Sequence, residues 1–294
     1  MSEQHSTPTS KPGSPPPSPE PVRRAFVLTH GRPDTIGPAL ERVQATAADA
    51  GVELLYPADE RAKHGLPPDG DDPAGADLAV VLGGDGTMLR ALARFLEQAV
   101  PVIGVNFGRV GFLASIEPER LEPDLARVFG GDYRVVELPT LDAVVGGATA
   151  VAVNDVVAAS SDLGRMVELE WGVGGEDLGR QPCDGLICAT PSGSTAYNLS
   201  NGGPVLVWGL DALALTFVAP HSLHARPLVV PRGRDVVIWN RTADVSVSVL
   251  VDGHVFHELP PDGRVTIRLG DGRSLLATLP ETTFFRRYRE TFGS

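Results

Sequence analysis

The sequence predicts an α/β N-terminal domain with a parallel, Rossmann-like sheet, followed by a mostly-β C-terminal domain folded as a two-layer sandwich. Up to about Tyr133, apolar strands alternate with stretches of helical periodicity, which is typical of a parallel sheet covered by helices. Beyond it, short Val- and Thr-rich strands separated by turn signals indicate antiparallel pairing. We therefore expect an α/β domain at residues 23–132, a β-rich domain at residues 133–280, and a helix at residues 281–294 that packs back on the first domain.

The first domain follows a Pro- and Ser-rich stretch, residues 1–22, which has too few apolar side chains to offset its ordering entropy. We expect a disordered tail there. Gly51 ends the first predicted helix, and the acidic, Pro-rich stretch Pro57–Gly75 predicts an exposed loop. In chain order the elements are strand Ala25–Thr29, helix Thr35–Ala50, strand Val52–Tyr56, strand Asp77–Leu82, helix Met88–Gln98 and strand Val100–Asn106.

The second domain is predicted from runs of β-branched residues. The dipeptides Asp262-Gly263 and Asp271-Gly272 are typical of hairpin turns. The helical pattern Thr282–Phe292 predicts the C-terminal helix. The predicted strands are Arg134–Leu138, Ala150–Ala158, Met166–Val173, Leu186–Ala189, Leu213–Val218, Val236–Trp239, Val245–Val251, Val265–Leu269 and Leu275–Leu279.

Composition excludes several classes of function. The 294 residues carry a net charge of −12 without a basic stripe, which argues against nucleic-acid binding. No apolar run is long enough to cross a bilayer and the N-terminus lacks a secretory apolar region, so we expect a cytoplasmic protein that does not bind membranes. Cys183 and Cys188 have neither redox nor zinc spacing and are predicted to be buried thiols. The histidines do not predict a transition-metal site.

The glycine-rich segment Gly83–Thr87 (GGDGT) is the sharpest local feature. It lies between a predicted parallel strand and a helix, where glycines let the backbone approach a phosphate and free N–H groups favour anions. Asp85 could accept a proton from an attacking hydroxyl or help to hold a metal ion, or it could simply cap the helix. The segment resembles the signature shared by NAD kinases, diacylglycerol and sphingosine-type lipid kinases and phosphofructokinases. It indicates phosphoryl transfer and leaves the acceptor open.

A second polar stretch, Asp184–Pro204 (DGLICATPSGSTAYNLSNGGP), makes the resemblance specific. It is similar to the NAD kinase pattern DG-x(4)-TPTGSTAY-x-LS-x-GGP, from which it departs mainly at Ser192. Further blocks resemble the same family in family order: Asn106–Leu113 (NFGRVGFL), the pair Asn154-Asp155, His221–Val230 (HSLHARPLVV) and Val251–Gly253. The family has Asn-Glu where this chain has Asn154-Asp155, so the second side chain is shorter by one methylene.

The resemblance implies a role for each matching residue. Asp85 would be the base that activates the 2′-hydroxyl of the adenosine ribose of NAD. Arg90 would meet negative charge or be a solvated cation, Arg165 would neutralise the ligand or be a surface residue, and Asp252 would close the pocket or form an ordinary turn. The implied NAD- and ATP-binding residues are Gly83, Gly84, Gly86, Thr87, Arg90, Asn106, Phe107, Asn154, Asp155, Arg165, Asp184, Thr195, Ala196, Tyr197, Asn198, Leu199, Ser200 and Asp252.

The resemblance implies an NAD kinase that moves the γ-phosphate of ATP to NAD, with a divalent cation, Mg²⁺ by expectation, whose ligands stay unassigned. Inorganic polyphosphate as donor is left open. A homodimer or homotetramer is expected, with a neighbouring subunit completing part of the NAD pocket. Two alternatives remain: a dinucleotide sensor without catalysis on the same scaffold, and a kinase of the GGDGT type for another acceptor.

Overall fold

The structure is a computed structural model that describes residues 19–31, 33–67, 70–108, 111–162, 164–222 and 224–293, with the backbone alone for residues 33–35. Residues 1–18 of the predicted tail lie outside the described residues. Within the predicted tail, Val22 is buried and its N–H donates to the Phe129 carbonyl at 2.9 Å. The last residue of the predicted tail is therefore packed against α4, which spans Leu121–Phe129.

The first domain is a parallel sheet with helices on both faces, as predicted. Apolar residues of helices α1 (Pro33–Ala50) and α4 (Leu121–Phe129) pack on one face, and those of α3 (Asp85–Arg94) on the other. The strand order is β2-β1-β3-β4, and Gly83 at the end of β3 is level with Asn106 at the end of β4. The elements are β1 Arg24–Thr29, α1 Pro33–Ala50, β2 Glu53–Leu55, α2 Ala58–His64, β3 Leu78–Gly83, α3 Asp85–Arg94, β4 Val102–Asn106, a 3-10 helix Pro118–Arg120 and α4 Leu121–Phe129.

The rest of the chain is mostly antiparallel β, ending in helix α6. Its strands are β5 Arg134–Val145, β6 Ala148–Ala152, β7 Asp155–Ser160, β8 Val167–Val173, β9 Glu176–Cys183, β10 Gly185–Ala189, β11 Ala212–Val218, β12 Leu228–Pro231, β13 Val236–Asn240, β14 Val247–Val251, β15 His254–Leu259 and β16 Arg264–Thr278. A 3-10 turn Gly193–Thr195 and α5 Tyr197–Ser200 follow β10, and α6 spans Phe284–Phe292. A six-stranded sheet, β12-β11-β10-β7-β14-β15, packs against the antiparallel part of a ten-stranded sheet around one apolar core.

Strand β16 joins the two domains into one sheet. Leu276 pairs in parallel with Val102 of β4, whereas Ile267 pairs with Val236 of β13. Strand β5 follows β16 along nearly its whole length. The predicted domain boundary near Tyr133 is thus a change of topology within a continuous ten-stranded sheet.

Several elements differ from their predictions. The segment Pro57–Gly75 was expected to be a loop, but it contains α2, anchored because Glu60 is buried against β1. Asp271-Gly272 is not a turn: β16 runs through it with a register shift against β5, so the extra residues form a bulge. The predicted strand Ala150–Ala158 is two strands, β6 and β7. Elements α4, β9, β12 and β15 were not predicted.

Helix α6 lies between the two halves of the chain. The Phe284 ring contacts Phe112 of the first domain, with centroids 5.3 Å apart, and Trp208 of the second, 5.5 Å apart. Ahead of the helix, Glu281 forms an ion pair with Arg127 of α4 at 2.7 Å. No helix in the described ranges is long and apolar enough to span a membrane.

Candidate active site

The glycine loop joins β3 to α3 and lies against the loop that follows β4. The Phe107 N–H donates to the Gly83 carbonyl at 3.2 Å. A Cβ added at Gly108 would lie 3.1 Å from the Gly84 Cα, so the two backbones are nearly in contact. Parallel neighbours place such loops at one sheet edge, and glycine at Gly84 and Gly108 permits their close approach.

A cavity of about 490 Å³ opens above this loop, and we call it the glycine-loop cavity. The first N–H groups of α3 lack intrahelical partners and favour an anion. Arg90 adds a cation that is exposed and has no ion-pair partner among the residues described. The lining residues are His30, Ile36, Gly83, Gly84, Gly86, Thr87, Arg90, Phe107 and Gly108. The cavity is therefore suited to a phosphorylated ligand.

The Asp85 carboxylate does not cap its own helix, whose N-cap is Gly84 without a side-chain bond. Its Oδ2 accepts the Phe112 N–H at 2.6 Å, and its Oδ1 accepts those of Leu113 and Ala114 at 3.0 and 3.3 Å. Three successive amides thus hold the carboxylate at the edge of the glycine loop. The sequence left three roles open for Asp85: proton acceptor, metal ligand or helix cap. It did not predict that three backbone amides would bind the carboxylate, an arrangement that we call the amide cradle.

A second cavity, of about 320 Å³, lies where β7 begins and β14 ends, and we call it the strand-end cavity. Leu89 of α3 also lines it, so α3 contributes residues to both cavities. Its polar lining includes Asn154, Asp155 and Asp252, and Tyr197 is 46% exposed and offers a ring face. The remaining lining residues are Val157, Ala159, Ala196, Leu250 and Gly253.

Asp252 repeats the amide cradle seen at Asp85. Its carboxylate accepts the N–H groups of Val153, Asn154 and Asp155 at 2.9, 2.7 and 3.2 Å. Burial raises the pKa of Asp252, although these three amides oppose the rise. Burial first, and the Asp252 charge second, raise the pKa of Asp155 to about 7. Near neutral pH, Asp155 can therefore donate a hydrogen bond as a carboxylic acid.

The turn after β10 positions Asn154. The Thr190 N–H donates to the Asn154 carbonyl at 2.8 Å, and the Ser192 hydroxyl donates to the Asn154 Oδ1 at 3.0 Å. A Cβ at Gly193 would lie 2.1 Å from that carbonyl, so glycine is required there. Ser192, the main departure from the family pattern, thus keeps a hydroxyl on Asn154.

Other predicted site residues lie elsewhere. Asn198 is fully buried, and its amide bonds Ser194, Pro204 and Thr216, so it supports the turn from within. Leu199 and Ser200 continue α5, and Thr195 bonds back to Ser192 through its hydroxyl. None of these four lines either cavity. Asn106 lies at the end of β4, where its Oδ1 accepts the Gly108 N–H at 3.0 Å.

Asp184 and Arg165 lie at the opposite end of the six-stranded sheet. Asp184 precedes β10, whereas the turn with Tyr197 follows it, and five strand residues separate them by about 16 Å. Arg165 follows β7 and pairs with the exposed Asp244 at 2.7 Å. Neither Asp184 nor Arg165 lines either cavity, although Ala159 of the strand-end cavity pairs with Gly185, the neighbour of Asp184.

Sequence reasoning missed several residues of this region: His30, the amides of residues 112–114, and Arg287 of α6, which donates to that segment. Arg287 occupies the apolar face of α6, three residues after Phe284, and this position is the only local signal. Residues 109 and 110 of the predicted NFGRVGFL block lie outside the described residues. Across the part of the chain that is described, no group of three or more His, Cys, Asp or Glu side chains could hold a metal ion.

Comparison with known proteins gives a consistent result. Residues 69–133 match the family described as ATP-NAD kinase N-terminal domain, and residues 153–279 match ATP-NAD kinase C-terminal domain. The chain is 36% identical over 277 residues to the NAD kinase of Symbiobacterium thermophilum, covering 90% of this chain and 97% of that protein. It is 42% identical over 219 residues to the NAD kinase of Heliobacterium modesticaldum, covering 73% and 77%.

Solved structures share the fold. An NAD kinase from Archaeoglobus fulgidus, crystallised in complex with ATP, has a TM-score of 0.74 and 27% identity, covering 92% of this chain and 97% of that one. Yeast NADH kinase complexed with NADH has a TM-score of 0.82 at 24% identity, covering 96% and 92%. The predicted fold class is therefore confirmed.

Proposed function

This chain belongs to the NAD kinase family, and we propose that it transfers the γ-phosphate of ATP to the 2′-hydroxyl of the adenosine ribose of NAD, with Asp85 as the proton acceptor. It is a phosphotransferase, an ATP-dependent NAD kinase. The observation that supports the proposed roles is that α3 begins at Asp85 and contributes residues to both the glycine-loop cavity and the strand-end cavity.

The glycine-loop cavity is suited to the phosphates of ATP. The N–H groups at the start of α3 and the exposed Arg90, which has no ion-pair partner in the described ranges, both favour negative charge. Holding the phosphates there would neutralise the charge that develops on the transferred group, which is most of what catalysis of phosphoryl transfer requires. Polyphosphate would meet the same groups and stays an open alternative donor.

The strand-end cavity is suited to the nucleoside part of NAD. The Asn154 amide is oriented by Ser192, and Tyr197 supplies a ring on which a base or nicotinamide can stack. Asp155 would donate from its carboxylic acid to a ribose oxygen, a role for which its raised pKa suits it. The shorter Asp side chain, where the family has Glu, would then require the ligand to come closer to β7.

Asp85 would take the hydroxyl proton through Oδ2. A carboxylate has about four acceptor positions, and three are used by amides, only one of them at Oδ2. As the 2′-hydroxyl loses its proton to Oδ2, its oxygen would form a bond to the γ-phosphorus while the bond to the β-phosphate oxygen breaks and ADP leaves. The cradle would keep the carboxylate in place during this step.

A divalent cation would be held mainly by the phosphates of the donor, as Mg²⁺ usually is. This fits the lack of a multidentate protein site in the described residues, with Asp85 as the carboxylate within the loop. When bound, the cation supplies charge neutralisation on the phosphates.

A homo-oligomer would explain Asp184 and Arg165. Neither residue lines the strand-end cavity of its own chain, so contact with NAD would come from a neighbouring copy. Mixing Asp85→Asn with Asp184→Ala chains tests this, because mixed oligomers would contain intact composite sites. Recovery of activity supports the arrangement, and additive inactivity opposes it. A cytoplasmic location stays a prediction.

The experiment that tests the proposed reaction compares Asp85→Asn with Asp49→Asn, an exposed carboxylate on α1, in NADP formation from NAD, ATP and Mg²⁺. The loss of a base is expected to lower kcat by about 10²–10⁴-fold, with NAD binding retained. Full activity of Asp85→Asn would refute the base. Wild-type protein that binds NAD without forming NADP would be a sensor, and failure to bind NAD would point to another acceptor.

A further inference from the structure

We propose that Arg287 is a positioning residue for phosphoryl transfer, because its buried guanidinium holds the segment Gly111–Ala114 so that its amides bind Asp85. The inference rests on the role proposed above for Asp85. It gives the C-terminal helix, which touches neither cavity directly, a part in the reaction.

One peptide group connects the two charges. The Arg287 Nη2 donates to the Gly111 carbonyl at 2.8 Å, and the N–H of the same peptide unit, that of Phe112, donates to the Asp85 Oδ2 at 2.6 Å. The peptide between a cation and an anion is polarised in one direction, which strengthens both hydrogen bonds. Oδ2 is the oxygen assigned above to the substrate proton.

A second contact fixes the other end of the segment. The Arg287 Nη2 also donates to the Ala114 carbonyl, and the Ala114 N–H donates to the Asp85 Oδ1 at 3.3 Å. The guanidinium and the carboxylate therefore hold the segment from opposite sides, at both its first and its last residue. Without Arg287, the amides of residues 112–114 lose the anchor that aims them at Asp85.

The burial of Arg287 indicates a role other than helix solubility. The residue is 9% exposed, and burial lowers the pKa of its guanidinium, whereas the charge of Asp85 opposes that effect. Its Nε is buried with no hydrogen-bond partner among the described residues. A buried, incompletely bonded cation is destabilising by itself. Its nearest ion-pair contact, Glu290 on the same helix, is 3.8 Å away.

Aromatic packing holds the cation in place. Phe112 is within the positioned segment, and its ring lies 5.3 Å from Phe284 and 5.9 Å from Phe292, on either side of Arg287 along α6. The helix and the segment are therefore packed against each other on both sides of Arg287. We infer that α6 sets the position of the proposed base through Arg287.

The test compares Arg287→Met with Arg289→Met, an exposed arginine on the same helix. Arg287→Met is expected to lower kcat by about 10–100-fold, as expected for a reacting group misplaced by about 1 Å, and to change KM for NAD and ATP by less than about threefold. Amide hydrogen exchange at residues 112–114 should speed up in Arg287→Met and stay unchanged in Arg289→Met. Added guanidinium ion should restore part of the rate to Arg287→Ala, and urea at the same concentration should not.

Each outcome decides one point. Unchanged kcat and unchanged exchange in Arg287→Met, with Asp85→Asn inactive, overturn the role of Arg287 alone. An active Asp85→Asn overturns the base assignment whatever Arg287 does. If kcat of Arg287→Met falls only as far as its lower thermal stability explains, and guanidinium ion does not restore the rate of Arg287→Ala, Arg287 has a structural role alone. If Arg287→Met does not fold, Arg287→Lys keeps a cation, but its side chain is one bond too short to bring the ammonium to the position of Nη2, and its exchange and kcat decide the question in the same way.

Discussion

Gly111 is the position where a single methyl group would test the cradle of the proposed base. A Cβ built there lies 2.3 Å from Oδ1, 2.5 Å from Cγ and 2.7 Å from Oδ2 of Asp85. Real Cβ atoms essentially never approach closer than 3.0 Å, so at least 0.7 Å must be relieved. The clash would therefore act on the carboxylate.

The expected size of the effect follows from the bonds at risk. Hydrogen bonds to a charged group are worth about 1.5–3 kcal/mol each, and Gly111→Ala would break at least one of the three amide bonds. We expect a loss of about 2 kcal/mol, which lowers Tm by about 4–8 °C for a chain of this size. A displacement approaching 1 Å at the proposed base would lower kcat by about 10²-fold.

The assay measures NADP formation and thermal unfolding for Gly111→Ala and for Gly37→Ala. Gly37 is a helical glycine whose added Cβ would meet nothing within 4 Å other than its chain neighbours, and alanine there should change stability by less than about 1 kcal/mol, because helix propensity favours it and the following Pro38 opposes it. Gly111→Ala with wild-type kcat and Tm would refute the cradle as described. A fall in Tm at unchanged kcat would separate the cradle from catalysis.

Three further outcomes follow from burial and charge. The pKa of Asp155 is raised to about 7 in the folded chain, whereas in the unfolded chain this carboxyl loses its proton near pH 4. Because the folded chain binds the extra proton between these values, the free energy of unfolding should fall as the pH rises from about 4 to 7, by at most about 4 kcal/mol. Urea unfolding of Asp155→Asn should lack that fall, and curves parallel to wild type would contradict it. Glu60→Ala removes a carboxylate that is 2% exposed and should lower Tm by about 6–12 °C, roughly 3 kcal/mol, whereas the exposed Glu53→Ala should change it little. Burial raises the pKa of Cys183 to about 12 and also raises that of Cys188. A thiol reagent should therefore modify both cysteines only after the protein unfolds. Reaction of either cysteine in the native protein at pH 8 would disprove their burial.

The sequence predicted the fold where local pattern and tertiary structure agree. Strands β1, β3 and β4 are apolar on both faces because helices cover both, and their periodicity is unambiguous. Helix α2 escaped prediction because its stability depends on Glu60 reaching Thr29, 31 residues away. The bulge in β16 escaped because Asp-Gly is a strong turn signal locally, and only pairing with β5 keeps the strand continuous.

The candidate site was predictable in its outline only. Motif spacing placed Asp85 at a strand end, and Asn154 and Tyr197 at a common cavity. The amide cradle around Asp85 depends on a segment 27–29 residues away, and Arg287 reaches that segment from 173 residues further along the chain. Asp184 was placed with the other ligand-contacting residues because the motif is contiguous, but β10 carries the chain across the sheet between them.

The late position of strand β16 in the sequence delays completion of the first domain during synthesis. The parallel sheet is bordered at β4 by a strand that begins only at Arg264, so that edge stays open while the intervening chain is synthesised. At about 5–20 residues per second, the nascent first domain would expose its unpaired edge for roughly 8–30 s. Its completion is therefore a late event, and a truncated chain ending before β16 should be retained by chaperones or aggregate rather than accumulate as a native half.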